Sequence, residues 1–297
     1  MKKLPIGTQY FPTLIEDNCL YIDKIERIYQ LINSARIYFM SRPRRFGKSL
    51  LISTLEAIFK GQKELFKNLW IEKSDLVWDE HPVIRVDFAG LDLRTPEKLE
   101  YSLAASLDDT AKKYDIHLAQ QELKLKFKEL VTKLSAINKV VLLVDEYDKP
   151  IIEHIDNPAA AAANREVIKQ FYGCIKPLDD CLKFVFLTGV SKFSQVSIFS
   201  DLNSLQDISM SIKYADLLGI TQEELETQCT PYIADLAQAQ SLTVEETYAK
   251  IKHWYNGFNF SKANIKVYNP FSTLLLFAQQ DFKGYWFATA TPTFLIK

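Results

Sequence analysis

Arg42-Pro43-Arg44-Arg45-Phe46-Gly47-Lys48-Ser49 closes on Gly-Lys-Ser, and an apolar run flanks it on either side. Before it, Ile37-Tyr38-Phe39-Met40 is short, apolar and β-rich, as a buried strand requires. After it, the segment from Leu50 to Phe59 places apolar residues at 50, 51, 55, 58 and 59 and contains no Pro or Gly, which predicts a helix. A strand that feeds a tight loop into a helix N-terminus aims backbone N–H groups and the positive end of the helix dipole at one point. That point suits a phosphate. Lys48 would reach the phosphates as a point charge, and the Ser49 hydroxyl is placed to ligate Mg²⁺. Arg44, Arg45, Phe46, Gly47, Lys48, Ser49 and Leu50 are therefore the candidate nucleotide contacts. One position departs from the usual G-x-x-x-x-G-K pattern: Arg42 stands where the first glycine belongs, so the turn cannot use glycine's φ freedom there. Pro43 fixes one φ instead, and the neighbouring arginines offer guanidinium donors to phosphate oxygens.

A second run, Val140-Val141-Leu142-Leu143-Val144-Asp145-Glu146, has five apolar residues without alternation and then two acids. Such a strand is covered on both faces, as in a parallel sheet. Acids at the C-terminal end of a parallel strand lie on the edge where these sheets bind ligands. Asp145 is expected in the Mg²⁺ shell and Glu146 as the group that orients or deprotonates an attacking water. Asp148 follows closely, with helix capping as its other reading. Two further strands are predicted, Pro82–Phe88 and Lys183–Ser191, the second with polar residues at its exit. Of these, Thr188, Ser191 and Lys192 are candidates for a place beside the γ-phosphate, and Ser191 is the choice.

At 297 residues, with 47% apolar and 25% charged residues, the chain has the composition of a globular protein with room for an α/β core and an accessory domain. A net charge of −1 gives no support to nucleic-acid binding. Cys19, Cys174, Cys181 and Cys229 show neither CxxC spacing nor a histidine cluster, so they read as incidental thiols in a reducing compartment. Met1-Lys2-Lys3 is followed by Pro5, Gly7 and Thr8 rather than an apolar signal core, and no run reaches membrane-spanning length. A cytoplasmic location is the expectation.

Residues 1–34 are expected to pack on the core through a helix at Ile25–Ile32, with Ile6 to Tyr10 and Tyr21 as candidates either for base contact or for plain packing. Helices are predicted near 96–114, 119–136 and 159–172, a short one through Leu65 to Trp70, and a fifth edge strand at Ile208–Lys213. Thr221 with Glu224 forms a capping box that opens a helical stretch to about residue 256. Asn256-Gly257, between aromatics, suggests the turn of a hairpin, and Asn269-Pro270 starts the last helix. Together these elements predict a three-layer α/β/α P-loop NTPase of the additional-strand type. Its mainly parallel sheet would have the order 5-1-4-3-2 and occupy residues 35–214, with a small helical lid over 215–297.

The chain resembles, nearly end to end, the prokaryotic AAA-ATPase-like proteins. The resemblance is carried by the loop at 42–49 and by Asp145-Glu146-Tyr147-Asp148-Lys149-Pro150. It extends through Leu187-Thr188-Gly189-Val190-Ser191-Lys192-Phe193, Trp254-Tyr255-Asn256-Gly257 and Tyr268-Asn269-Pro270-Phe271. Arg at the first loop position is normal in that family. The resemblance implies ATP with Mg²⁺ as the bound species, and ATP hydrolysis that drives or gates an effector. Family members often carry a C-terminal PD-(D/E)XK nuclease. Tyr285-Trp286-Phe287 and Thr291 to Ile296 resemble the junction before that domain, and the nuclease's acidic site is expected to be absent here. A different reading is a nucleotide-gated interaction module that binds ATP without useful turnover. The loop arginines and Arg165 are the candidate arginine fingers, and an oligomer is compatible with either reading.

Overall fold

Four of the apolar runs and a short polar edge strand form one sheet: β1 (Ile37–Ser41), β2 (Val83–Asp87), β3 (Val140–Asp145), β4 (Leu182–Gly189) and β5 (Gln206–Asp207). The computed structural model describes residues 1–192, 198, 199, 202 and 204–285. Each pairing in this sheet is parallel, and the order is β2-β3-β4-β1-β5. Viewed from the other edge it is the expected 5-1-4-3-2.

The helices are α1 (Phe11–Glu16), α2 (Ile25–Ile32), α3 (Lys48–Phe59), α4 (Pro96–Lys113), α5 (Leu123–Ser135), α6 (Lys149–Ile152) and α7 (Pro158–Tyr172). After the sheet come α8 (Gln222–Gln228), α9 (Thr230–Gln240) and α10 (Val244–Tyr255). A hairpin of β6 (Asn256–Asn259) and β7 (Lys266–Tyr268) leads into α11 (Pro270–Gln279).

Period-two alternation sorts the strand residues into two cores. Val140, Leu142 and Val144 of β3 join Leu103 of α4, Leu130 of α5 and Phe171 of α7. Val141 and Leu143 join Ile28 of α2 and Leu55 of α3 on the opposite face. With both faces covered, every residue of β3 is buried, which is why the run lacks polar alternation. Full burial of each Val or Leu contributes about 1.5–3 kcal/mol before entropy is counted. A third core holds Leu225, Ile233, Leu236, Ile251, Tyr268 and Leu276 from the C-terminal elements, and Leu20 from the N-terminal segment joins it.

Several expected boundaries move. The edge strand lies at 206–207 rather than 208–213, because the Asp207 carboxylate accepts from the Ser209 N–H and hydroxyl and turns the chain out of the ladder. Residues 212–214 form a single 3₁₀ turn. Asn256-Gly257 is not the hairpin turn: both residues lie within β6, where the register shifts between Asn256 and Phe258, and Gly257 takes φ +141°. The helix expected from 119 begins at Leu123, since Glu129 binds the Ala119 and Gln120 N–H groups and holds that segment extended. The stretch from Leu65 to Trp70 contains the end of one 3₁₀ turn and the start of another instead of an α-helix. Phe193, Trp286, Phe287 and Thr291 to Ile296 lie outside the described residues. Among the described residues, no helix is long and apolar enough to cross a membrane.

Candidate functional site

β1 ends at Ser41 and α3 begins at Lys48, so the loop between them crosses the C-terminal edge of an interior strand. Gly47 takes φ +89° and Arg45 φ +65°. Glycine adopts such angles freely, whereas Arg45 carries a strain of roughly 1–2 kcal/mol that the surroundings must offset. Among the described residues, the N–H groups of Arg44, Arg45, Phe46 and Gly47 donate to no protein acceptor. Four free donors next to a helix N-terminus make a concavity suited to an anion. Lys48 is buried, and its Nζ donates to the carbonyl oxygens of Arg42 and Pro43, each at 3.0 Å. Burial pushes the Lys48 pKa down, while Asp145, Glu146 and Asp148 pull it up.

Those carboxylates sit at the exit of β3. Asp145 is buried, and its Oδ1 accepts from the Thr188 hydroxyl at 2.6 Å and from the Glu146 N–H at 3.1 Å. β4 lies between β1 and β3, so parallel register carries Thr188 from the neighbouring strand end to Asp145. Glu146 takes φ +55°, and its carboxylate lies 3.4 Å from the Lys149 ammonium. Asp148, read from the sequence as a candidate helix cap, holds the N-cap position of α6 without a side-chain cap bond, and its side chain ties two strand exits together. Its carboxylate accepts from the N–H groups of Val190 and Ser191 and from the Ser191 hydroxyl. Burial outweighs these bonds and raises the Asp148 pKa.

A cavity of about 380 Å³ opens over the loop. Arg44, Arg45, Gly47, Lys48, Ser49 and Glu146 supply polar lining, and Leu14, Ile22, Ile28, Leu217, Ile220 and Phe271 supply apolar lining. Phe46 and Leu50 complete the seven contacts expected from the loop. Gly7, Thr8, Gln9 and Tyr21 line it too, whereas Ile6 and Tyr10 do not. Asp145 and Ser191 lie outside the lining; Asp145 is hydrogen-bonded to Glu146, which lines the cavity, whereas Asp148, the partner of Ser191, does not line it.

Arg42 departs most from expectation. It is buried, and its guanidinium donates to the carbonyl oxygens of Ser41, Ser209 and Tyr214 at 2.9, 2.7 and 3.2 Å. It also lies 4.1 Å over the Phe260 ring. Burial lowers its pKa to about 10, so it stays charged at neutral pH. Arg45 is exposed and stacks 4.4 Å over Phe271. Arg165 is half-buried on α7. The aromatic partners of the loop went unread in the sequence; the available signal was the i, i+2 spacing of Phe258 and Phe260, which sets two rings on one side of an extended chain.

Residues 5–199 match the family described as Predicted AAA-ATPase. The chain belongs to the AAA-ATPase-like family. That match covers the loop, the acids at β3 and the exit of β4, and stops before the C-terminal helices and hairpin. An uncharacterized protein in the vnfD 5′ region of Azotobacter chroococcum mcd 1 is 40% identical over 301 residues, covering 99% of this AAA-ATPase-like chain and 55% of the relative. The chain thus spans about half the length of the curated relative it matches.

Proposed function

We propose that this AAA-ATPase-like chain is a P-loop ATPase of the additional-strand type, which binds Mg-ATP in the 380 Å³ cavity and hydrolyses it to gate a partner or an effector domain. One observation carries the reading: a buried lysine and four free loop amides share a cavity with Glu146, next to a buried carboxylate, Asp145, at the exit of β3. The donor set fits the ligand. Loop amides and Lys48 suit phosphate oxygens, the Ser49 hydroxyl and the Asp145 carboxylate suit a hard cation, and the apolar lining suits a nucleobase.

In this reading Lys48 exchanges its two carbonyl acceptors for phosphate oxygens and stabilises charge on the transferring group. Mg²⁺, held by Ser49 and Asp145, would neutralise charge across the phosphates. Thr188 fixes the Asp145 carboxylate by its 2.6 Å hydrogen bond. Glu146 accepts the proton of the attacking water, and Ser191, held by Asp148, stands at the β4 exit as the γ-phosphate contact. Residues 215–297 act as a lid whose α11 start, at Phe271, borders the cavity.

Purified protein with Mg-ATP is expected to release phosphate, and Glu146→Gln to abolish release while retaining binding. Unchanged turnover in that variant would sink the assignment. The pairing of Glu146 with Lys149 favours a second reading, in which the base is sequestered and the chain binds ATP without useful turnover. Lys149→Ala separates the two: turnover that appears only in the variant supports sequestration. Turnover per chain that rises steeply with protein concentration would instead point to an arginine supplied by a second copy.

A further inference from the structure

Phe46 occupies the middle of the loop, flanked by the two residues with positive φ, and is only 1% exposed. Its ring meets Phe258 edge-on at 4.8 Å and Phe260 at 5.3 Å, both from the β6–β7 hairpin region. Phe260 also receives the Arg42 guanidinium at 4.1 Å, so one ring touches both the first residue of the loop and its centre. Arg42 is also anchored to the carbonyl oxygens of Ser41, Ser209 and Tyr214 and Arg45 stacks on Phe271, but the centre of the loop has little besides Phe46 to hold its shape. Its central N–H groups bond to no protein acceptor, and Lys48 supplies two side-chain bonds that a phosphate would compete for. A strained left-handed residue such as Arg45 persists only where packing around it over-determines the conformation.

We infer that the β6–β7 hairpin is a positioning element of the phosphate loop: Phe258 and Phe260 clamp Phe46 and Arg42 in the anion-ready shape, so loop occupancy and hairpin packing are coupled. The inference rests on the reading of residues 42–49 as a phosphate loop and extends the site beyond residues 5–199. Coupling of this kind is reciprocal. A ligand that draws the loop tighter must tighten the hairpin, and a loosened hairpin must weaken the ligand. The hairpin runs directly into α11, so the clamp also joins the loop to the helix that borders the cavity.

Limited trypsinolysis of the full chain tests the clamp without any nucleotide, because Arg44 and Arg45 are cleavage sites inside the loop. Phe258→Leu/Phe260→Leu keeps both positions apolar but removes both ring contacts; cleavage after Arg44 and Arg45 is expected to accelerate roughly tenfold. Phe282→Leu, which alters an aromatic contact with Trp254 and Tyr255 away from the loop, is expected to leave that rate unchanged. Approached from the loop side, Phe46→Leu is expected to speed amide exchange across residues 256–268. Loop cleavage and hairpin exchange at wild-type rates in these variants, with circular dichroism unchanged, would overturn the inference. Mg-ATP affinity supplies a separate arm: the double variant is expected to bind about three- to tenfold more weakly. A wild-type chain that binds no Mg-ATP defeats the proposed function, and the proteolysis and exchange arms still decide the clamp.

Discussion

At residue 42 the identity of a side chain and its job diverge. A glycine at the first loop position normally serves backbone freedom, yet here the side chain is buried, gives three charged hydrogen bonds to carbonyl oxygens and covers an aromatic face. Lysine would not replace it, because a point charge cannot present a planar fork to several carbonyls and lie flat on a ring. Restoring the usual motif is therefore harmful: Arg42→Gly is expected to lower stability by about 2–4 kcal/mol, read by urea denaturation. A variant as stable as wild type would show that the buried guanidinium is dispensable. The sequence made Arg42 conspicuous as the residue standing where the motif has glycine, without showing what its side chain does. Only the fold shows the carbonyl oxygens of Ser209 and Tyr214, which lie well over a hundred residues away, arriving at its guanidinium.

Among the elements, the exits of β3 and β4 act as one unit. Thr188 binds Asp145, the Tyr147 N–H donates to the Thr188 carbonyl at 2.9 Å, and Asp148 binds Ser191. Gly189 is needed between them, since a Cβ there would come within 2.4 Å of the Tyr147 ring. The raised pKa of Asp148 gives this unit a pH signature. The folded chain holds the Asp148 proton more tightly than the unfolded chain. The stability from this group is therefore greatest below the ordinary value of 3.8 and declines as pH rises through the raised folded value. Asp148→Asn removes that component, so its stability is expected to fall less steeply than wild type between about pH 4 and pH 7, measured by denaturation at several pH values. Parallel slopes would place the proton elsewhere. The strands themselves were legible in the sequence because apolar runs with acidic or polar exits have few other uses. The hydrogen bonds between exits were not, since they join residues some 43 positions apart across a register that no local pattern encodes.

For the whole molecule, the N-terminal segment belongs to the sheet and to the C-terminal helices at once. α2 packs on the sheet, while Lys24, just before it, donates to Glu224 of α8 at 2.5 Å, and Arg27 within it pairs with Asp216 at 3.0 Å. Glu224 also accepts the Thr221 N–H as part of the α8 capping box. Lys24 is buried, and that burial lowers its pKa despite the carboxylate. Glu224→Ala would leave an ammonium without its partner and a helix without its box, so a loss of about 3–5 kcal/mol is expected by chemical denaturation. Arg27→Ala, at a pair more open to water, is expected to cost only about 0.2–1 kcal/mol. Equal effects from the two would mean that the Lys24 site is well hydrated.

By itself the sequence determined the buried strands of the sheet, the loop before α3, the acids at the end of β3 and the capping box at Thr221. Each is written in neighbouring residues through periodicity, steric freedom or local hydrogen bonding. Only the tertiary structure decided which residues converge on the loop. It turned Arg42 away from the cavity, closed Phe258 and Phe260 on Phe46, joined Asp148 to Ser191 and brought Lys24 to Glu224. These contacts depend on burial and on the meeting of distant segments, where the loss of water makes a single ring or carboxylate decisive and where sequence spacing carries no information about distance.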